Sequence, residues 1–225
     1  MAKSRPRVIL SAAMTLDGKI ATKKGDSKLS SKQDKVRIHK LRSKVDAILV
    51  GSNTVKRDDP MLTVRYTKGK NPLRVILDSK AEINPKSRII KTCKKIPTIL
   101  AVSKKASRQN VSNLKKHSLE IIITGENKVN IKNLLKALSK KKIKTLLVEG
   151  GGTVNWEFIK QGLIDEVLVT ITPYLVGGQK AISLVDGEGF SKIQNSKKLK
   201  LKKISKLGNE IVLHYGLACR GSILS

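Results

Sequence analysis

Short apolar runs rich in β-branched residues recur along the chain, and stretches of helical periodicity separate them. Runs at 7–13, 47–50, 74–77, 98–102, 120–123, 145–148 and 166–171 read as strands. Several are apolar at almost every position, the pattern of strands covered on both faces. Between them, 31–44 opens on a serine suited to cap a helix and turns Val36, Leu41 and Val45 toward a core. Ile131, Leu134, Leu135 and Leu138 stand at i, i+3, i+4 and i+7, one apolar helix face. A further helix is predicted over 152–161, ending at Gly162. This alternation predicts an α/β fold, a mostly parallel central sheet with helices on both faces.

The C-terminal part has a different rhythm. Apolar residues alternate with lysine over 199–205, Leu207-Gly208-Asn209 is a turn signal, and 211–215 is a second strand. Together they predict an antiparallel hairpin that finishes the sheet. Neither a Pro- or Ser-rich linker nor an internal repeat interrupts the chain. Residues 1–217 are therefore expected to form a single domain, with 218–225 a mobile tail.

Composition narrows the picture. The chain has 225 residues, enough to bury a sizeable core, and its 3% aromatic content requires that core to be built from Ile, Leu, Val and Ala. No apolar run is long enough to span a bilayer, and residues 1–6 lack the apolar stretch of a signal peptide, so a cytoplasmic protein is expected. Cys93 and Cys219 lie far apart without metal-ligand spacing and are read as free thiols. The formal charge of +30 raises nucleic acid as a partner. Its distribution points elsewhere: lysines are scattered in pairs such as Lys23-Lys24, Lys94-Lys95 and Lys202-Lys203, and no interleaved aromatics offer a stacking platform. A solvated basic surface is the expectation, one that attracts phosphorylated small molecules rather than a specific nucleic acid.

Four clusters follow strand ends. The first is Val148-Glu149-Gly150-Gly151-Gly152-Thr153, between an apolar strand and a helix. Consecutive glycines allow close backbone approach to an anion, and a helix start supplies N–H donors, which suits a dinucleotide pyrophosphate. A tight strand–helix turn with no ligand is the alternative. The second is Gly51-Ser52-Asn53-Thr54-Val55-Lys56-Arg57-Asp58-Asp59-Pro60. Thr54 and Asp58 share one face if the segment is helical; on the residues alone, an ordinary cap followed by an Asp-Pro turn is the favoured reading. Leu62, Thr63 and Arg65 come just beyond, and Arg65 is suited to grip a phosphate with two N–H groups. The third is Thr15-Leu16-Asp17-Gly18-Lys19, with the turn Gly25-Asp26-Ser27 after it. The fourth is Asp78-Ser79-Lys80, where a hydroxyl and a lysine suit a ribose 2′-phosphate, against a plain exposed turn.

Several classes drop out. The chain has no H-x-E with P-C-x-x-C, no G-x-S-x-G and no Walker A segment, and His39, His117 and His214 show no metal spacing.

Taken in order, 14–21, 51–55 with Asp58-Asp59-Pro60, Leu62-Thr63-Val64-Arg65 and Glu149-Gly150-Gly151-Gly152-Thr153 resemble the reductase family of riboflavin biosynthesis. The likeness runs from about Val8 to about Tyr215 and leans to the stand-alone archaeal-type members; the chain has no room for the zinc deaminase domain fused in bacterial relatives. The resemblance implies a three-layer, dihydrofolate-reductase-like fold and a homodimer without metal. It implies NADPH as cofactor, with NADH possible, and reduction of the ribosyl group of a phosphorylated ribosylamino-pyrimidine by hydride transfer to C1′. Residue by residue, it makes Thr54 and Asp58 cofactor contacts, puts Ser79 near the adenosine, and makes Gly151, Gly152 and Thr153 the pyrophosphate cradle. Ser27, Arg42, Leu62, Arg65 and Glu149 become substrate contacts, the two arginines at the 5′-phosphate and Glu149 at the sugar. Lys19 and Glu149 are the catalytic candidates. Lys28 and Leu29 stand where bacterial relatives often carry a tryptophan. A dihydrofolate-type reductase, a basic nucleic-acid-binding protein and an inactive cofactor-binding module remain the other readings.

Overall fold

A computed structural model describes residues 5–218. In chain order they form β1 (Arg7–Thr15), β2 (Lys19–Ala21), α1 (Lys32–Arg42), β3 (Ala47–Gly51), α2 (Ser52–Asp58), β4 (Leu73–Leu77) and α3 (Arg88–Lys91). There follow β5 (Thr98–Val102), α4 (Arg108–Lys115), β6 (Glu120–Ile123), α5 (Ile131–Lys140), β7 (Thr145–Val148) and α6 (Gly152–Lys160). The chain closes with β8 (Glu166–Thr172), β9 (Ile182–Ser183), β10 (Leu199–Leu207) and β11 (Glu210–Leu217). The predicted tail lies outside the described residues except for Ala218, as does Cys219. The described residues divide into two compact units, each discontinuous in sequence: one contains 5–7 and Val36–Gly151, the other Val8–Lys35 and 152–218.

In the first unit, β7, β3, β4, β5 and β6 lie side by side in that order, every neighbouring pair parallel. All five residues of β3 and of β5 are buried, so both faces of those strands are covered, as a layered α/β arrangement requires. The apolar face predicted for α5 is the buried one: Ile131, Leu134, Leu135 and Leu138 are at most 4% exposed. Each such side chain contributes about 1.5–3 kcal/mol by leaving water. Asn130 caps this helix through its side chain, which accepts from Asn133 N–H at 3.0 Å.

In the second unit, β1 pairs parallel with β8, β8 antiparallel with β11, and β11 antiparallel with β10, around the predicted turn at Gly208-Asn209. Gly208 sits at φ 62°, in the left-handed region the turn needs. β2 and β9 form a separate two-stranded ribbon. Ser31 accepts from Asp34 N–H at 3.1 Å, the cap expected for α1. Of α1, Asp34 belongs to this unit and Val36, His39 and Leu41 to the first, and the face the helix buries differs from the expected one. Val36 and Leu41 are only half-buried, while Asp34 and His39 are 2% and 3% exposed. Both polar groups are compensated: Thr170 donates to Asp34 at 2.7 Å, and His39 accepts from Arg65 N–H at 2.8 Å.

Candidate functional site

Parallel strands deliver their carboxyl ends to one edge of a sheet. In the first unit three adjacent strands, β7, β3 and β4, end at Glu149-Gly150-Gly151, at α2 with Thr54 and Asp58, and at Asp78-Ser79. Backbone bonds tie the first two endings together: Glu149 N–H donates to Leu49 O at 3.0 Å and Gly51 N–H to Gly150 O at 2.9 Å. Thr54 then accepts Gly151 N–H on its Oγ1 at 3.1 Å. The 52–58 segment is helical, so Thr54 and Asp58 do share a face. Asp58 spends both carboxylate oxygens on its neighbour Arg57, at 2.9 and 3.2 Å.

Ser79 is half-buried and accepts Val129 N–H at 3.1 Å, leaving its own hydroxyl proton available. Asp78 turns inward and accepts Ile83 N–H at 2.7 Å. Burial raises its pKa, against the pull of that N–H and of Lys56.

Arg42, Glu149, Leu62 and Arg65 also belong to this unit. Arg42 grips Glu149 with two parallel bonds, Nε to Oε1 at 2.8 Å and Nη2 to Oε2 at 2.7 Å. Its Nη1 donates to Thr63 O at 3.1 Å. Burial opposes the charge on Arg42, but Glu149 outweighs it and raises the arginine's pKa. Leu62 is buried at φ 51°, a left-handed backbone that costs a non-glycine residue about 1–2 kcal/mol. That bend turns Thr63 O to Arg42 and Arg65 N–H to His39. The Arg65 guanidinium is exposed and makes no ion pair among the described residues. Thr63 Oγ1 is buried with no hydrogen-bond partner among the described residues.

The second unit holds the other predicted residues. Lys19 Nζ donates to Ser183 Oγ at 3.0 Å, and Lys19 N–H donates to Thr15 Oγ1 at 2.9 Å. Asp17 clamps the turn, accepting from Thr15 Oγ1 at 2.6 Å, Gly177 N–H at 2.7 Å and Val176 N–H at 3.1 Å. These bonds, the Thr15 hydroxyl foremost, lower its pKa to about 2. Gly152 begins α6 in a space without room for a side chain: an added Cβ would lie 2.6 Å from Asp186 Oδ2 and from Ser183 O. Thr153 is exposed on the first helical turn, and Ser27 is exposed in its loop. The glycine run crosses from one unit to the other between Gly151 and Gly152.

Four contributors escaped the sequence reading. Thr63 appeared there only as a neighbour of Arg65. His39 has no metal spacing, yet it stands three residues before Arg42, on the same helix face. Ser183 and Asp186 lie in and just after β9, a two-residue strand that leaves no periodic trace. Among the described residues no cluster of His, Cys, Asp and Glu could hold a metal, and no helix is long and apolar enough to cross a membrane.

The fold and this edge define an α/β protein of the dihydrofolate-reductase-like reductase class. Among solved structures, RibD of Acinetobacter baumannii matches with a TM-score of 0.82 at 26% identity, over 97% of this chain and 59% of that one. The chain thus spans somewhat over half of that protein's length. The chain belongs to the RibD C-terminal domain family, whose model matches residues 6–213. It is 44% identical over 214 residues to the 2,5-diamino-6-ribosylamino-4(3H)-pyrimidinone 5′-phosphate reductase of Methanothermobacter thermautotrophicus, covering 94% of this chain and 98% of the relative. It is 38% identical over 216 residues to the protein of the same name from Aquifex aeolicus, covering 94% and 96%.

Proposed function

We propose that the protein reduces the ribosyl group of 2,5-diamino-6-ribosylamino-4(3H)-pyrimidinone 5′-phosphate to a ribityl group, with NADPH as the donor, in the cytoplasm. The observation that carries this reading is the edge of the first unit, where Gly151 is bonded to Thr54 and β4 ends beside them at Ser79. Two near relatives, 44% and 38% identical, carry that reductase name.

The residues fit a nicotinamide dinucleotide. Thr54 keeps its hydroxyl proton to donate while fixing the Gly151 amide. The first turn of α6 offers N–H groups with no intrahelical partner, a natural seat for pyrophosphate. Ser79 and Lys80 suit a ribose 2′-phosphate, which favours NADPH. When bound, the reduced nicotinamide supplies the hydride. The protein's residues bind and orient around it. Arg65, exposed and without an ion-pair partner among the described residues, takes the substrate phosphate. Glu149, oriented by Arg42, faces the sugar. Arg42 spends most of its donors within the protein, so it serves the site chiefly by holding Glu149 and Thr63.

The direct test mixes the purified protein with this substrate and either NADPH or NADH and follows the loss of reduced-nicotinamide absorbance. Product mass should rise by two hydrogens. Absence of turnover with both cofactors ends the proposal. Thr54→Val removes the acceptor of Gly151 N–H and is expected to raise the apparent KM for NADPH about tenfold, with kcat within about threefold. An unchanged KM detaches α2 from the cofactor.

A homodimer is proposed as the working form. Ile204 and Ile211, on one face of the terminal hairpin by their register, are 59% and 45% exposed, apolar surface suited to a second copy. Light scattering in solution should give twice the chain's 24.7 kDa; a monomer mass at assay concentration rejects the dimer.

A further inference from the structure

His39 lies in α1 one turn before Arg42, and only 3% of it is exposed. Its Nδ1 accepts Arg65 N–H at 2.8 Å, with Tyr66 N–H at the outer limit of the same bond, 3.5 Å. The Tyr66 ring meets the imidazole edge-on, centroids 4.8 Å apart. An acceptor nitrogen carries no proton, so the proton of the neutral ring is on Nε2. That nitrogen stands 3.3 Å from Arg42 Nη1, itself a donor, so the two face each other without a hydrogen bond between them. The ring is thus held in one tautomer by a single partner, the backbone of the segment that carries Arg65.

We propose that His39 is a positioning residue whose unprotonated Nδ1 fixes the 63–66 segment, so that Arg65 is presented to an anionic phosphate, and that protonation of His39 releases it. The proposal rests on the reductase reading in one respect, that the phosphate Arg65 meets is the substrate's.

The physics leaves no intermediate state. A proton on Nδ1 points at Arg65 N–H, and two donors cannot share that bond. The charge it brings is placed among groups mostly of the same sign. Arg42 faces the ring from its own helix, Arg65 from the 62–66 segment, and Glu149, of opposite sign, from the end of β7. Burial first, then Arg42 and Arg65, lower the pKa of His39 from 6.5 to about 4; Glu149 pulls weakly the other way. Between those two values the unfolded chain binds more protons than the folded one. Stability from this site is therefore complete above pH 6.5 and is lost as pH falls toward 4. At neutral pH the ring is a fixed acceptor, a role well suited to holding a loop.

Two substitutions separate positioning from filling space. His39→Asn puts Oδ1 on the branch that carries Nδ1, keeping an acceptor that does not titrate. His39→Leu fills the space and leaves Arg65 N–H without a partner. At neutral pH, His39→Leu should raise the apparent KM for the phosphorylated pyrimidine about tenfold. Its kcat and KM for NADPH should stay within about threefold, and His39→Asn should restore substrate KM to within about threefold of the natural protein. A second readout needs no turnover: the ¹⁵N–¹H resonance of Arg65, followed from pH 7.5 to 4.5 beside the His39 ring nitrogens.

Arg65 should begin to shift with His39 toward the acid end, and in His39→Asn that shift should vanish. The same spectra report whether His39→Leu is folded; if it is not, the Asn variant and the coupled titration carry the test. An Arg65 amide indifferent to His39 protonation overturns the proposal. So does an unchanged substrate KM in a folded His39→Leu, or an Asn variant as impaired as the Leu one. Coupled resonances in a protein that turns over no substrate would instead keep the His39–Arg65 linkage and reject the reductase reading.

Discussion

Arg42→Met is expected to cost about 3–5 kcal/mol of folding stability and to lower kcat/KM by about a hundredfold or more. Arg42 and Glu149 form a two-pronged ion pair with side chains only 12% and 13% exposed. Methionine keeps the apolar stem and removes every donor. It strands the Glu149 carboxylate in a poorly hydrated place and leaves Thr63 O without the Nη1 it accepts from. A surface pair would be worth at most about 1 kcal/mol, so the size of the loss reports burial. Glu149→Gln separates stability from chemistry. An amide retains one acceptor for Arg42, so the expected stability loss is about 1–2 kcal/mol, while turnover should still fall about a hundredfold if the carboxylate acts on the sugar. Urea unfolding and steady-state kinetics on both variants decide the matter. Wild-type kcat in Glu149→Gln removes the carboxylate from the mechanism and leaves it a structural partner of Arg42.

The strand pattern of this chain is readable because its apolar, β-branched runs are bounded by polar turns, and in β3 and β5 every residue is buried. β5, β6 and β7 begin and end where their apolar runs do, and α5 was visible because four apolar residues share one stripe. Legibility failed where polar groups are buried or elements are short. The periodicity of α1 aimed Val36 and Leu41 inward, yet the positions it buries deeply are Asp34 and His39, each compensated by a distant partner. Hydrophobic pattern carries no record of such bonds, since they depend on which remote donor arrives. α4 buries only Leu114, and α3 is a single turn; neither makes a stripe long enough to read. The site shows the same division. The family resemblance gives Thr54 and the glycines to one cofactor, and in the structure Thr54 accepts Gly151 N–H. The pairing of Arg42 with Glu149, 107 residues apart, leaves no trace in local pattern, and the resemblance gives both residues to the substrate.

Arg74→Met is expected to lower stability by about 3–5 kcal/mol, through hydrogen bonding to neutral groups rather than through charge pairing. Arg74, on β4, is fully buried, and every hydrogen-bond acceptor around its guanidinium is uncharged. Nε and Nη2 both donate to Thr98 Oγ1, at 3.0 and 2.7 Å. Nη2 also reaches Ile89 O at 2.9 Å and Ile96 O at 3.1 Å. Nη1 donates to Thr92 Oγ1 at 2.8 Å and Met61 O at 3.3 Å. One planar group thus ties together the start of β5, the turn that contains α3 and the residue just before Leu62. Burial lowers its pKa, with Cys93 acting in the opposite sense. Methionine leaves those carbonyls facing apolar surroundings, at about 1–3 kcal/mol for each that finds no new donor. In a chain of this length each kcal/mol corresponds to about 2–4 °C, so the melting temperature should fall by about 10 °C. Arg74→Lys keeps the charge, but an ammonium lacks the planar fork and should recover less than half of the loss. The bond to Met61 adds a functional signature. Loosening it frees the bend at Leu62 that aims Thr63 and Arg65, so a folded Arg74→Lys should show a raised substrate KM with an unaltered KM for NADPH. A melting shift below about 3 °C in Arg74→Met would show that the surrounding groups re-pair without it.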